Sequence, residues 1–436
     1  MRIAFISPQG KITNNKVLLR IWSEDAGARA YRDSISGIGT GLLTIASLTP
    51  SFFHKEFIDE NLKEVDFNEH YDLVAISAMT QQANRAYRIA DIFREKNVFV
   101  VIGGIHATIL PDEAAKHADS VIVGEGENLW PVLMNDFLNK RTKKIYRSNA
   151  LVNMGKSPIP QFGLLKPEHY KIIWIQASRG CPRNCSFCVV TKIYGSKCRH
   201  KTIKQVTEEI KHLKKISPQS HVGFADDNMF IDKQYAERLI RKIKSLDIRW
   251  FAQTDVSIAN NPHLLKLLKE ANCMSLFIGF ESITGAALKG IDKYGWKAKQ
   301  LERYPRAIEI IQSYGIGVAG AFIVGLDGDS KRVFNRLADF IIDNHVYAAQ
   351  ITVPAPLPGT RLREKLGSEN RLIPAAWSNY TFTDVNFVPK NMTSRELEAG
   401  LEGIYKKVYS KNNTLEKGMY FRQIYKNMAK KRQRTS

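Results

Sequence analysis

Four short apolar runs dominate the first third of the chain, each ending at glycine or serine. They are Arg2 to Ser7, Asp72 to Ser77, Asn97 to Gly104 and Ser120 to Gly124. Apolar residues follow one another in these runs instead of alternating with polar ones, as in strands buried on both faces. Between them, Gln82 to Lys96 and Asp112 to Lys116 carry helical patterns. That succession predicts a parallel, doubly wound sheet, and such sheets bind ligands at the carboxyl ends of their strands. The ends here are Ser77, the Gly103-Gly104 turn followed by His106, and Gly124-Glu-Gly-Glu127.

A second alternating region follows an irregular, proline-bearing stretch from Ser148 to Pro167 that reads as a connector. Its strands are predicted at Lys171 to Gln176, Val222 to Asp226, Trp250 to Thr254, Ser275 to Phe280, Val318 to Val324 and Ala348 to Val353. Helical patterns such as Ile203 to Ile216 and Lys233 to Leu246 fill the gaps. Roughly six strand-helix repeats fall short of the eight of a closed barrel, which predicts an open, partial one. Beyond Pro358-Gly359 the pattern is mainly helical. The expected class is α/β. A Rossmann-like doubly wound domain covers 1–145, a connector 146–168, a partial (β/α)6 barrel of the TIM type 169–365, and a helical extension 366–436.

The length of 436 residues fits several cores, and the hydrophobic share of 44% argues against disorder. No stretch reaches the roughly 18 apolar residues of a membrane span, and the first residues read as a strand and not as a signal peptide, so a cytoplasmic location is expected. The net charge of +21 is unevenly spread: from Lys406 onward there are ten Lys or Arg and one acid, Glu416. Phe421, Ile424, Tyr425 and Met428 recur there at helical spacing among Arg422, Lys426 and Lys430. Such a basic amphipathic helix suits peripheral contact with an anionic membrane, or less readily a nucleic acid. A C-terminal helix docked on the body with a solvated basic face has the same pattern.

The chemistry concentrates in Ala177-Ser-Arg-Gly-Cys-Pro-Arg-Asn-Cys-Ser-Phe-Cys188. Five cysteines, three of them within eight residues, make a poor disulfide framework and a good metal site. Cys181, Cys185 and Cys188 can wrap a four-iron cluster, which ordinarily takes four cysteines; the missing ligand leaves one iron open. A zinc site would need a fourth ligand, for which Cys198 or His200 could serve. Cys273 lies in an apolar context that suits the core.

This segment resembles the signature of the radical S-adenosylmethionine superfamily. The resemblance implies a 4Fe-4S cluster on the three cysteines, with S-adenosylmethionine chelating the open iron and cleaved to a 5′-deoxyadenosyl radical. It implies further contacts to S-adenosylmethionine: Phe187 beside the adenine, Asp226 and Asp227 at the methionine ammonium, Thr254, Asp255 and Glu281 at strand ends, and the main chain of Gly320, Val324 and Gly325 near the adenine. Asp227 could equally cap a helix.

The first region is similar to the cobalamin-binding domain fused to such enzymes, through Val101-Ile-Gly-Gly-Ile-His-Ala107 and Val123-Gly-Glu-Gly-Glu127. The resemblance implies that Ser77, Gly103, Gly104, His106, Gly124, Glu125, Gly126 and Glu127 border the corrin. The first strand ends in Ser7-Pro-Gln-Gly-Lys11 with no Asp-x-His-x-x-Gly, so no histidine is expected beneath the cobalt. A Rossmann-like lid without cofactor is the other reading of this domain. Looser similarity to hopanoid methylases lies in Pro356-Leu-Pro-Gly-Thr360, Trp377 and Tyr405 to Tyr409. The family reading implies a cobalamin-dependent C-methyltransferase acting on a small molecule or lipid, with electrons from a flavodoxin or ferredoxin. The alternatives are a methylthiotransferase-like modifier of RNA or protein, although residues 1–180 hold none of the extra cysteines those enzymes carry, and a cobalamin-lacking radical enzyme that forms carbon-carbon bonds.

Overall fold

The computed structural model describes residues 1–24 and 39–435. Two six-stranded sheets, each wholly parallel, organise them. The first sheet comprises β1 (Arg2–Ser7), β2 (His54–Asp59), β3 (Leu73–Ser77), β4 (Phe99–Gly103), β5 (Ser120–Val123) and β6 (Ile145–Arg147), in the order β2-β1-β3-β4-β5-β6. Ile3 to Ile6 of β1 are wholly buried because apolar clusters cover both faces of the sheet. The chain reverses direction of travel across the sheet between β1 and β3. A crevice at the carboxyl ends of these two strands is the expected ligand position.

The second sheet comprises β7 (Ile172–Ile175), β10 (His221–Phe224), β11 (Trp250–Thr254), β12 (Cys273–Glu281), β13 (Gly317–Ile323) and β14 (Ala348–Thr352). Its order is β14-β13-β12-β11-β10-β7, so β7 and β14 are the free edges of a partial barrel. Between β7 and β10 a small antiparallel ribbon pairs β8 (Ser178–Arg179) with β9 (Arg199–His200). Helices on the outer face bury apolar stripes against the strands. Ile203–Ile216, for example, buries Val206, Ile210 and Leu213 and starts at a capping box of Thr202 and Gln205.

β2 and β6 have no counterpart among the four strands expected for the first sheet. Both are edge strands: β2 reads His-Lys-Glu-Phe-Ile-Asp and is half polar, and β6 has three residues. Neither shows the continuous apolar run of a central strand. In place of one helical stretch at Asp112 to Lys116 there are two short helices, Gly104–Ile109 and Pro111–Ala114.

The C-terminal helix Lys411–Thr435 docks on the body. Phe421 is buried edge-on against Tyr347, the Met428 sulfur lies beside Gly315, and Lys269 sits over the Tyr425 ring. The apolar stripe therefore meets the chain's own surface, which is the docked arrangement. Among the described residues no helix is long and apolar enough to cross a membrane.

Candidate functional site

The three cysteines share one loop, and neighbouring elements fix that loop from several sides. Gly180 has φ +100°, and a Cβ there would collide with the Lys197 carbonyl, so glycine is required. Its N–H donates to Asp227 Oδ2 at 2.7 Å. Arg183, between the first two cysteines, lies 3.6 Å from the Trp296 ring centre and pairs with Asp255 at 2.6 Å. Ser186 donates to the Ile291 carbonyl at 2.7 Å, and Arg361 donates to that of Asn184 at 2.5 Å. Burial pushes the thiols up, Cys185 to about 12 and Cys188 to about 11, so neutral free thiols would prevail here. A metal charge would favour the thiolates.

Among the described residues no three His, Cys, Asp or Glu side chains converge as a single metal ion requires. Cys198 and His200 contact each other at 3.3 Å without completing a set. Three cysteines spread along one loop fit a wider, multi-iron cluster.

Several candidates for contact with S-adenosylmethionine have other partners. Asp226 is fully buried, accepts from the Ala177 N–H at 3.0 Å and from the Ser178 hydroxyl, and is pushed up to about 7 by burial. These bonds anchor the ribbon. Asp227 also rises, to about 6, through burial; it holds Gly180, and the neighbouring helix is capped by Asp232 instead. Thr254 donates to Asn228, and Asn228 donates to Asp255. Burial alone would raise the Asp255 carboxyl, but Arg183 and the Ser257 and Asn228 donors hold it below its ordinary value. Gly320 faces outward, where a Cβ would meet the Phe322 and Phe280 rings. Val324 donates to the Thr352 carbonyl, and Gly325, at φ +91°, packs against Leu397. Phe187 is half-buried on the cysteine loop.

Glu281 ends β12 at φ +67°, where the pairing with β13 is broken by a bulge. Its carboxylate meets Lys297 Nζ at 2.9 Å, and Lys297 also donates to the Gly279 carbonyl at 2.6 Å. Burial would lower the lysine, but the Glu281 carboxylate holds it charged. No sequence pattern marks Lys297 or Trp296, which reach the site only through the fold.

In the first sheet, Ser77, Gly103, Gly104 and Gly124 to Glu127 border a cavity of about 1080 Å³. It extends from these strand ends to Arg179, two residues before Cys181. A Cβ on Gly124 would meet nothing within 4 Å, so this glycine leaves space that a side chain would fill. The strand-end glycines and the cavity thus fit a bulky macrocycle. Gly104 differs from Gly124, because a Cβ there would press on Ser77 and Ala78.

His106 does not line this cavity. It is buried between Thr80 and Glu113, each at 3.3 Å, with Trp377 edge-on, and burial lowers its basicity. Glu125 and Glu127 line the cavity with their carboxylates already matched. Arg179 pairs with both at 2.7 Å, and Arg199 reaches Glu125 at 3.0 Å. This staple ties the first sheet's strand-end loop to the ribbon leading into the cysteines.

Residues 175–341 match the radical SAM superfamily, residues 58–133 match the B12 binding domain, and residues 360–436 match a domain of unknown function, DUF4070. The bacteriochlorophyllide d C-12(1)-methyltransferase of Chlorobaculum tepidum is 31% identical over 378 residues, covering 84% of this chain and 82% of that one. The chain belongs to the B12-domain radical S-adenosylmethionine methyltransferases.

The family's cofactors are a 4Fe-4S cluster, S-adenosylmethionine and cobalamin, and the donor set and cavity above fit the cluster and the corrin. The hopanoid C-2 methylase of Rhodopseudomonas palustris is 28% identical over 346 residues, covering 76% of this chain and 65% of that one. The family fold extends over nearly the whole chain. A structure of the radical S-adenosylmethionine methyltransferase TsrM from Kitasatospora setae, with cobalamin and cluster bound, superposes with TM-score 0.65 at 14% identity, covering 92% of this chain and 88% of that one.

Proposed function

We propose that this enzyme methylates an unactivated carbon of a small molecule or lipid held between the two sheets. The observation that carries the proposal is the continuity of the cavity, which joins the strand-end glycines to Arg179 beside the cysteine loop. When bound, the cofactors supply one-electron cleavage of S-adenosylmethionine and a transferable methyl group. Cys181, Cys185 and Cys188 hold the cluster, and Arg183, Asp255 and Asp227 hold their loop. Phe187, Asp227, Thr254, Glu281 and the main chain at Val324 and Gly325 border S-adenosylmethionine, while Asp226 and Gly320 act through packing. Ser77, Gly103, Gly104 and Gly124 would border the corrin. A donor of the flavodoxin or ferredoxin class supplies electrons.

Anaerobically reconstituted, cobalamin-loaded protein given S-adenosylmethionine, a reduced flavodoxin system and extract of a strain deleted for the gene should form both 5′-deoxyadenosine and S-adenosylhomocysteine, dependent on the extract. Cys185→Ala should lose both products and the iron. Formation of 5′-deoxyadenosine alone would replace methyl transfer with another radical outcome.

A further inference from the structure

Two segments clamp the main chain on either side of Cys185. From the first, the Ile291 carbonyl accepts the Ser186 N–H at 2.7 Å, and the Lys293 N–H reaches the Arg183 carbonyl at 3.5 Å. From helix Arg361–Ser368, the Leu362 N–H donates to the Ser186 carbonyl at 2.8 Å, and the Arg361 guanidinium donates to that of Asn184 at 2.5 Å. Trp296 closes the first segment by stacking on Arg183. Both segments therefore lie directly against the loop that carries the thiols.

Their solvent side is cationic. Lys289, Lys293 and Arg361 are exposed, and none of the three meets a carboxylate among the described residues. Elsewhere Lys331, Lys365 and Lys407 are each paired with one. A fourth cation, Lys192, reaches Gly359, two residues before Arg361. The acids of the two segments do not compensate. Asp292 is buried and accepts from the Trp296 and Lys297 N–H groups at 2.7 and 3.1 Å, which leaves Glu364 as one exposed acid in the first turn of the helix. Amid these charges stands Tyr294, 67% exposed, with Lys293 5.3 Å from its ring centre. Unmatched cations around an open aromatic ring are the composition of a protein contact and not of a solvated face.

We propose that this patch is the docking surface for the electron donor, and that the donor is a protein of the flavodoxin class. The proposal rests on the radical reading of the cysteine loop and deepens it by naming where the electron enters. One electron leaves the donor's reduced flavin and enters the cluster held by the loop; the flavin is oxidised by one electron and the cluster reduced by one. Unmatched cations steer and orient an acidic carrier, raising its rate of association more than its affinity. The open Tyr294 ring suits a carrier whose redox group reaches the surface as a flat apolar edge, as a flavin does.

Anaerobic surface plasmon resonance with a flavodoxin and the full-length, iron-reconstituted protein tests this. The double variant Lys289→Glu, Lys293→Glu should bind about tenfold more weakly than wild type at low salt, and nearly as well at about 0.5 M, where the charges are screened. Tyr294→Ala should weaken binding at both. Formation of 5′-deoxyadenosine driven by reduced flavodoxin should fall with the affinity. Formation driven by reduced methyl viologen, a small cation that needs no docking surface, should stay at the wild-type level. Wild-type affinity in the double variant, or equal loss with both donors at unchanged iron content, overturns the proposal. So does a surface that takes an acidic ferredoxin, anionic vesicles or RNA through these lysines while ignoring flavodoxin. If the double variant loses its iron, Tyr294→Ala and Lys289→Glu alone decide. A wild type that binds flavodoxin through these residues, yet cleaves no S-adenosylmethionine with reduced viologen, would sink the radical reading and leave the surface standing.

Discussion

Asp329 follows β13 and is almost wholly buried, with its carboxylate accepting from the Gly325 and Leu326 N–H groups at 3.0 and 3.1 Å and from the Thr284 hydroxyl. Burial outweighs these donors and pushes it from 3.8 up to about 6. The folded chain therefore favours the acid form. Ionisation costs stability as pH rises from about 4 to 6, and the cost is complete above that window. Asp329→Asn keeps an acceptor for both amides and turns its own amide toward Thr284. Relative to wild type it should gain about 3 kcal/mol between pH 4 and pH 6.5, and little below pH 4. Urea denaturation of both proteins at the two pH values measures this. An unchanged difference would mean that the hydrogen bonds, and not the burial, dominate.

At the scale of elements, the Arg179 staple couples the loop after β5 to β8 and, two residues on, to Cys181. Its members are nearly all buried: Arg179 and Glu125 retain 11% and 3% of their side-chain exposure. Removing one partner from such a cluster leaves an uncompensated buried charge, so Arg179→Met should cost about 3 kcal/mol. Iron retention should fall with it, because the ribbon that carries the cysteine loop loses its anchor. Iron content and the urea midpoint, measured together, test the coupling. A stability loss with full iron retention would restrict the staple to holding the domains together.

The C-terminal helix makes a second expectation at this scale. Phe421 buries its ring on Tyr347, and losing that contact alone costs about 2 kcal/mol. A chain ending at Ser410 should therefore unfold at a lower temperature than the full-length protein, by several degrees. An unchanged melting temperature would mean that the docked face contributes nothing and is free to meet another surface.

For the whole molecule, the decisive feature is a space shared by two sheets that are far apart in sequence. Gly124 faces that space, whereas Gly104 is pressed against Ser77 and Ala78. Filling the cavity is therefore best done at Gly124. Gly124→Ala and Gly124→Tyr share the cost of a side chain at φ +98°, but only tyrosine occupies the space. Gel filtration after loading with hydroxocobalamin should find the corrin on the alanine variant and not on the tyrosine one, with iron content equal in both. Corrin retained by Gly124→Tyr would move the binding surface elsewhere in the cavity.

Much of this architecture was legible in the order of residues. Central strands such as β1 and β3 are continuous apolar runs because both faces of a parallel sheet are covered, and that burial writes itself into the sequence. The cysteine spacing is equally local, since one loop carries all three thiols. Edge strands β2 and β6 escaped because half their surroundings are solvent, which leaves no apolar run to read. Only the tertiary structure decided which polar residues have partners of their own. Asp226 and Asp227 are adjacent in sequence, yet one anchors the ribbon and the other holds Gly180. Lys297 comes beside Cys185, and Trp22 beside Tyr405, across separations that no spacing rule spans. Burial and pairing of charged groups depend on what the whole fold brings within a few ångströms, and local pattern carries no record of it.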